Sequence, residues 1–133
     1  MSDKFFIESK SKYGFDETME KLEAVIAAGG WRVLHVHNLQ ETMKKNGYDD
    51  VLQTKVIELC NPQLAHQLLS DGDSRIYSNM MPCSMSVYEQ ADGAIYVSRL
   101  NTKMLAGMIG GVVENVMGGA FEQAEKFCNE VCD

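Results

Sequence analysis

Val56-Ile57-Glu58-Leu59-Cys60-Asn61-Pro62 and Met81-Pro82-Cys83-Ser84-Met85-Ser86-Val87-Tyr88 bracket the segment whose reading decides the fold. The first run alternates with period two, the signature of a strand: Ile57 and Leu59 fall on one side, and Val56, Glu58 and Cys60 on the other. An unpaired carboxylate in a core costs several kcal/mol, which assigns Glu58 and its face-mate Cys60 to the more open side. Asn61-Pro62 then reads as a helix start, with Asn capping and Pro at the first helical position. Leu64, Ala65, Leu68 and Leu69 supply an apolar stripe that Asp71-Gly72-Asp73 interrupts. Ser74 to Met80 has no decisive period. From Met81 the alternation resumes, with Cys83, Met85 and Val87 opposite Ser84, Ser86 and Tyr88. Ala91-Asp92-Gly93 is a turn signal, and Ala94 to Arg99 returns as the hairpin partner.

Working outward, Lys4 to Ser9 reads as a strand. Asp16 is the expected N-cap of a helix that carries Met19, Leu22, Val25 and Ile26 and stops at Gly29-Gly30. Trp31 to Leu39 is β-rich. With Leu34 and Val36 toward the helices, Trp31, Val33, His35 and His37 would share the other face. Gln40 to Asn46 reads as a short helix closed by Gly47. In the tail, Met104 to Val113 is apolar and glycine-rich. Val113, Val116, Met117, Ala120, Ala124, Phe127 and Val131 then form a helical stripe, with Gly118-Gly119 inside it. Glycines there point to close approach of another backbone or to a kink, and the Met104–Gly119 tract suits a homodimer interface or a ligand lid.

These elements predict one α+β domain spanning residues 1–133: about five strands in a mostly antiparallel sheet, with helices packed on one face and the Met81–Arg99 hairpin at its heart. The 133 residues are 45% hydrophobic and 23% charged, enough apolar material for an ordinary core. The net charge of −7 argues against nucleic acid and anionic membrane as partners. The N-terminal residues lack the apolar segment of a signal peptide, and the Met104–Val113 run is about half a membrane span. A cytoplasmic protein is expected, and in that setting four scattered cysteines without a CxxC read as free thiols rather than a disulfide framework.

Four groups of residues could carry chemistry. Cys60 precedes a helix N-terminus, which would lower its thiol pKa, whereas Cys83 reads as a small core hydrophobe; alternation places the two thiols on opposite faces. His35 and His37 project from one strand, where Glu58 or Cys60 on a neighbouring strand would complete a zinc-type ligand set. The pair lacks the spacing of an established metal motif, so no metal is expected. Cys128 and Cys132, four apart near a frayed end, read as incidental thiols. The fourth is the glycine- and methionine-rich tract. There is no GxGxxG, P-loop, HExxH or GxSxG, so the sequence assigns no enzyme class, catalytic residue or cofactor.

Cys60-Asn61-Pro62 followed by Ala65 and Leu68, with Pro82-Cys83 about twenty residues on leading into Val87-Tyr88-Glu89, resembles the DUF302 (TT1751-like) family. The order of elements agrees over roughly Phe15 to Gly93, including Gly30-Trp31-Arg32-Val33-Leu34. The resemblance implies a small α+β domain, often dimeric, of uncharacterised role, and carries over as motif positions Cys60, Asn61, Pro62, Pro82 and Cys83. The chain differs from the family pattern at Tyr77-Ser78-Asn79-Met80-Met81 and through Met104–Gly119. The resulting expectation is a homodimeric binding domain with a small-ligand pocket between sheet and tail helix. The rival is a thiol- or metal-dependent activity centred on Cys60.

Overall fold

A computed structural model describes residues 4–133. The alternating segments become β1 (Phe6–Lys10), β2 (Arg32–Asn38), β3 (Thr54–Cys60), β4 (Cys83–Glu89) and β5 (Ile95–Leu100). They form one sheet in the order β1-β5-β4-β3-β2, with every neighbouring pair antiparallel. β4 is the central strand and pairs with β5 through the expected hairpin, whose Gly93 has φ +86°, the left-handed region that glycine enters without a Cβ penalty. Register explains the core. Ile57 lies opposite Met85, and Val87 opposite Val97, and none of the four side chains is more than 1% exposed.

The helices are α1 (Phe15–Ala28), α2 (Leu39–Lys45), α3 (Pro62–Leu69), α4 (Thr102–Gly107) and α5 (Gly111–Val131), with a 3-10 turn over Arg75–Met80. Leu22 and Ile26 of α1 and Phe127, Cys128 and Val131 of α5 pack with Ile57, Leu59, Met85 and Val97 in the main core. Burying a Leu or Ile side chain there contributes about 1.5–3 kcal/mol. A second, smaller cluster of Leu68, Ala106, Val113, Val116 and Met117 joins α3 and α4 to α5. All seven residues of the predicted tail stripe are buried. On the opposite sheet face, Val56, Glu58, Ser86, Tyr88, Tyr96 and Ser98 are each only partly buried. Tyr88 stacks on Tyr96 at 6.1 Å and its hydroxyl donates to Glu8.

Three local expectations are corrected. Asp16 is not the N-cap: α1 starts two residues earlier than that cap would set, at Phe15, because that ring is in the core at 6% exposure. Gly14 is the cap residue, and its carbonyl accepts from the backbone and hydroxyl of Thr18; Asp16 lies in the first turn, where its charge suits the helix dipole. In β2, a bulge between Val33 and His35 makes Leu34 the extra residue, 55% exposed. Val33 and Val36 therefore pack against the core together with the buried Trp31, and only His35 and His37 share the other face. The Met104–Gly119 tract is divided between two helices. Gly110 and Gly111, with φ of 78° and 62°, turn the chain from α4 into α5, and Gly118 packs against the Lys103 side chain within the same chain. Finally, the C-terminal residues are tied down: Cys132 bridges to Ser11 and Asp133 N–H donates to Lys10, leaving Cys132 only 4% exposed.

Candidate functional site

The two motif segments meet at the end of the sheet. β3 ends at Cys60, and Asn61 turns the chain into α3: its side-chain oxygen accepts from the N–H groups of Gln63 and Leu64, satisfying donors that a helix start leaves free. The Asn61 amide also donates to Gln123 on α5 at 3.4 Å, and the same Gln123 oxygen accepts from the Trp31 indole at 2.7 Å. Gln123 thus ties the residue that leads into β2, the motif and the tail helix together. Trp31 is fixed further by the edge of the Phe127 ring, 5.6 Å away.

Around this junction is a cavity of about 30 Å³. One wall comes from the motif segments: Leu59, Cys60 and Asn61, then Met81, Pro82 and Cys83. Leu64 and Ala65 of α3 form a second, Trp31 closes one end, and Val116, Met117 and Ala120 of α5 form the last wall. The Met81–Pro82 peptide is cis. A second cavity of about 50 Å³ adjoins it across Leu59, Pro82 and Cys83 and reaches Arg99. That guanidinium is 7% exposed and is held by both oxygens of Glu125 at 2.5 and 2.7 Å and by Ser9, so its charge is already matched within the fold.

Four of the five motif positions, Cys60, Asn61, Pro82 and Cys83, line the first cavity. Pro62 does not; it is exposed and opens α3. The two thiols are not separated as strand alternation suggested. Cys83 lies opposite Leu59 on the core face, and Cys60, the last residue before the chain turns at Asn61, borders the same space. Burial pushes Cys83 up to about 11, with a further rise from charge on Cys60. Cys60 is itself raised by burial, opposite to the lowering expected from a helix N-terminus. At the start of α3 the N–H groups of Gln63 and Leu64 already donate to Asn61.

His35 and His37 do come together, with ring centroids 4.3 Å apart. His37 Nε2 lies 2.6 Å from Glu58 Oε1, which gives the carboxylate a partner on the open face. Cys60 borders the cavity rather than completing this group. Among the described residues, no three His, Cys, Asp or Glu side chains are placed to hold a metal ion. Cys128 and Cys132 are buried thiols, and the Cys128 sulfur contacts Met85 Sδ at 3.8 Å. Sequence reasoning missed Gln123, Met81 and Ala120 as cavity or junction residues. Met117 was legible in the methionine-rich tract read as an interface or lid, Ala120 only as a member of an apolar stripe, and nothing local marks Gln123.

An antiparallel five-stranded sheet with one helical layer and a motif-lined cavity at its end defines the class, a small α+β domain. The sequence pattern of the family described as Domain of unknown function DUF302 matches residues 7–131, and the chain belongs to that family. Among solved structures it is similar to an uncharacterised conserved DUF302 protein from Bacillus stearothermophilus, at 23% identity with a TM-score of 0.85, covering 96% of this chain and 98% of that one. This likeness shows a shared fold. No curated protein matches the chain.

Proposed function

We propose that the protein is a binding domain whose ligand site is the cavity between the end of the sheet, α3 and the tail helix. The observation that carries this reading is convergence: Cys60, Asn61, Pro82 and Cys83 come from two segments about twenty residues apart and border one space with Met117 and Ala120. A volume of about 30 Å³ is small beside pockets for drug-sized ligands, roughly 300–1,000 Å³. The ligand class is therefore one of a few heavy atoms at most. The lining is mainly apolar, and burial raises both thiols, which supports retention of a ligand over nucleophilic catalysis at Cys60. The test is the melting temperature of the protein as purified against the same sample unfolded, desalted and refolded. A ligand bound only by the folded state at 100 times its Kd adds about 2.7 kcal/mol. The reading expects a lower melting temperature after stripping, and no such difference in Ala65→Leu, which extends a half-buried side chain into the cavity wall. Equal melting temperatures in a wild type that also takes up no ligand added at the cavity would overturn it.

We further propose that the protein is a homodimer joined through the open sheet face. The support is a neutral centre of Val56, Ser86, Tyr88, Tyr96 and Ser98, none fully buried, next to Phe6 at 69% exposure. A second copy would set neutral centre against neutral centre, as an isologous contact requires. The charge of −7 gives nucleic acid and anionic membrane no basic footprint to meet. No described helix is long and apolar enough to cross a membrane. Four free thiols suit the reducing cytoplasm.

A further inference from the structure

The cavity wall is rich in sulfur. The chain has 4 cysteines and 9 methionines among 133 residues, yet two of each, Cys60, Cys83, Met81 and Met117, fall among its twelve lining residues. The two thiols are near enough for charge on one to be felt at the other. No carboxylate or imidazole borders the space, so it lacks the carboxylates hard cations prefer and, beyond its two thiols, the further N, O or S⁻ donors that complete a zinc site. From this we infer that the cavity binds a single soft monovalent metal ion, Cu(I) or Ag(I), through the sulfur atoms of Cys60, Cys83, Met81 and Met117.

Three arguments carry the assignment, which rests on the cavity being the ligand site. First, thiolate and thioether donors select Cu(I) among biological metals. Second, charge balances. Loading follows RSH + M⁺ → RS–M + H⁺: one S–H bond breaks, one S–M bond forms, and the proton passes to water. The net charge of the cavity is unchanged, whereas a dication on one thiolate would leave a positive charge buried among apolar side chains, a costly state. Third, a volume of about 30 Å³ accommodates an ion more readily than an organic molecule.

The experiment titrates the reduced full-length chain, without oxygen, against Cu(I) held by bicinchoninate, and counts bound metal by native mass spectrometry with Ag(I). One ion per chain is expected. Cys60→Ser with Cys83→Ser should weaken binding by about 100-fold or more, since the strong soft donors are gone. Met81→Leu with Met117→Leu conserves volume and packing and should weaken it by about tenfold. Cys128→Ala with Cys132→Ala should leave the stoichiometry at one. The assignment is overturned if the wild type withdraws no Cu(I) from bicinchoninate, if binding survives the Cys60/Cys83 pair, or if it is lost with the Cys128/Cys132 pair. Should the Cys60/Cys83 pair fail to fold, the Met81/Met117 pair decides: unchanged affinity there overturns the proposal. A wild type that takes no Cu(I) but carries an organic adduct absent from Ala65→Leu sinks the metal assignment and leaves the cavity reading standing. A bare wild type that also takes no Cu(I) sinks both.

Discussion

Replacing Asn61 with Ala separates the structural part of the motif from any binding role. Asn61 Oδ1 accepts from Gln63 N–H at 3.1 Å and Leu64 N–H at 3.2 Å, so the substitution frees two donors at the start of α3. Loss of an N-cap side chain typically costs about 0.5–2 kcal/mol. The amide's bond to Gln123 is long at 3.4 Å, and Gln123 keeps its 2.7 Å bond from Trp31, so this contact adds little. The expected total is about 1–2 kcal/mol, a fall of roughly 3–8 °C in melting temperature for a chain of this size. Asn61→Ser, which keeps a capping oxygen, should recover most of it. The assay is urea unfolding followed by circular dichroism, with all three proteins at one concentration. If Asn61→Ala unfolds within 0.3 kcal/mol (about the scatter between independent measurements) of the wild type, the capping argument is wrong.

Glu125→Ala should destabilise by about 2–4 kcal/mol, because it leaves the Arg99 guanidinium, 7% exposed, with only Ser9 and Val97 as partners; urea unfolding checks this, and Arg99→Met with Glu125→Leu should recover much of the loss. Gly29→Ala should cost about 1–3 kcal/mol, since its Cβ would stand 2.5 Å from the Phe127 ring that Trp31 braces, and the same assay reads it. Burial pushes the Cys128 thiol from 9.0 up to about 12. Its stabilising contribution is therefore complete below pH 9 and lost as pH rises toward 12, so Cys128→Ala should flatten the decline in urea midpoint over that window. Tyr96→Glu on the open sheet face should convert the proposed dimer to a 14.8 kDa monomer by light scattering at micromolar concentration; a wild type already monomeric there would refute that interface.

Period-two patterning was enough to read β3, β4 and β5, because each buries one face and leaves the other partly open. Asn61-Pro62 marked α3 for the same kind of reason: a cap and a first-turn proline act locally. What could not be read depends on contacts between distant residues. The Leu34 bulge follows from keeping Trp31, Val33 and Val36 all in the core, and that core does not exist until α1 and α5 pack. Asp16 has a capping side chain, but burial of Phe15 sets the start of the helix. Cys60 was assigned a face and a lowered pKa from its own strand and helix. Its actual surroundings come from Cys83, β4 and α5, and its helix donors are already taken by Asn61. Gln123 carried no signal, since its partners lie 62 and 92 residues away.

The central claim is that the motif-lined cavity holds a ligand. Native mass spectra of freshly purified wild type and Ala65→Leu test it most directly. The account predicts an added mass on the wild-type chain that Ala65→Leu lacks while remaining folded. A wild-type chain that is bare and takes up no Cu(I), or an adduct that persists unchanged in Ala65→Leu, would contradict it.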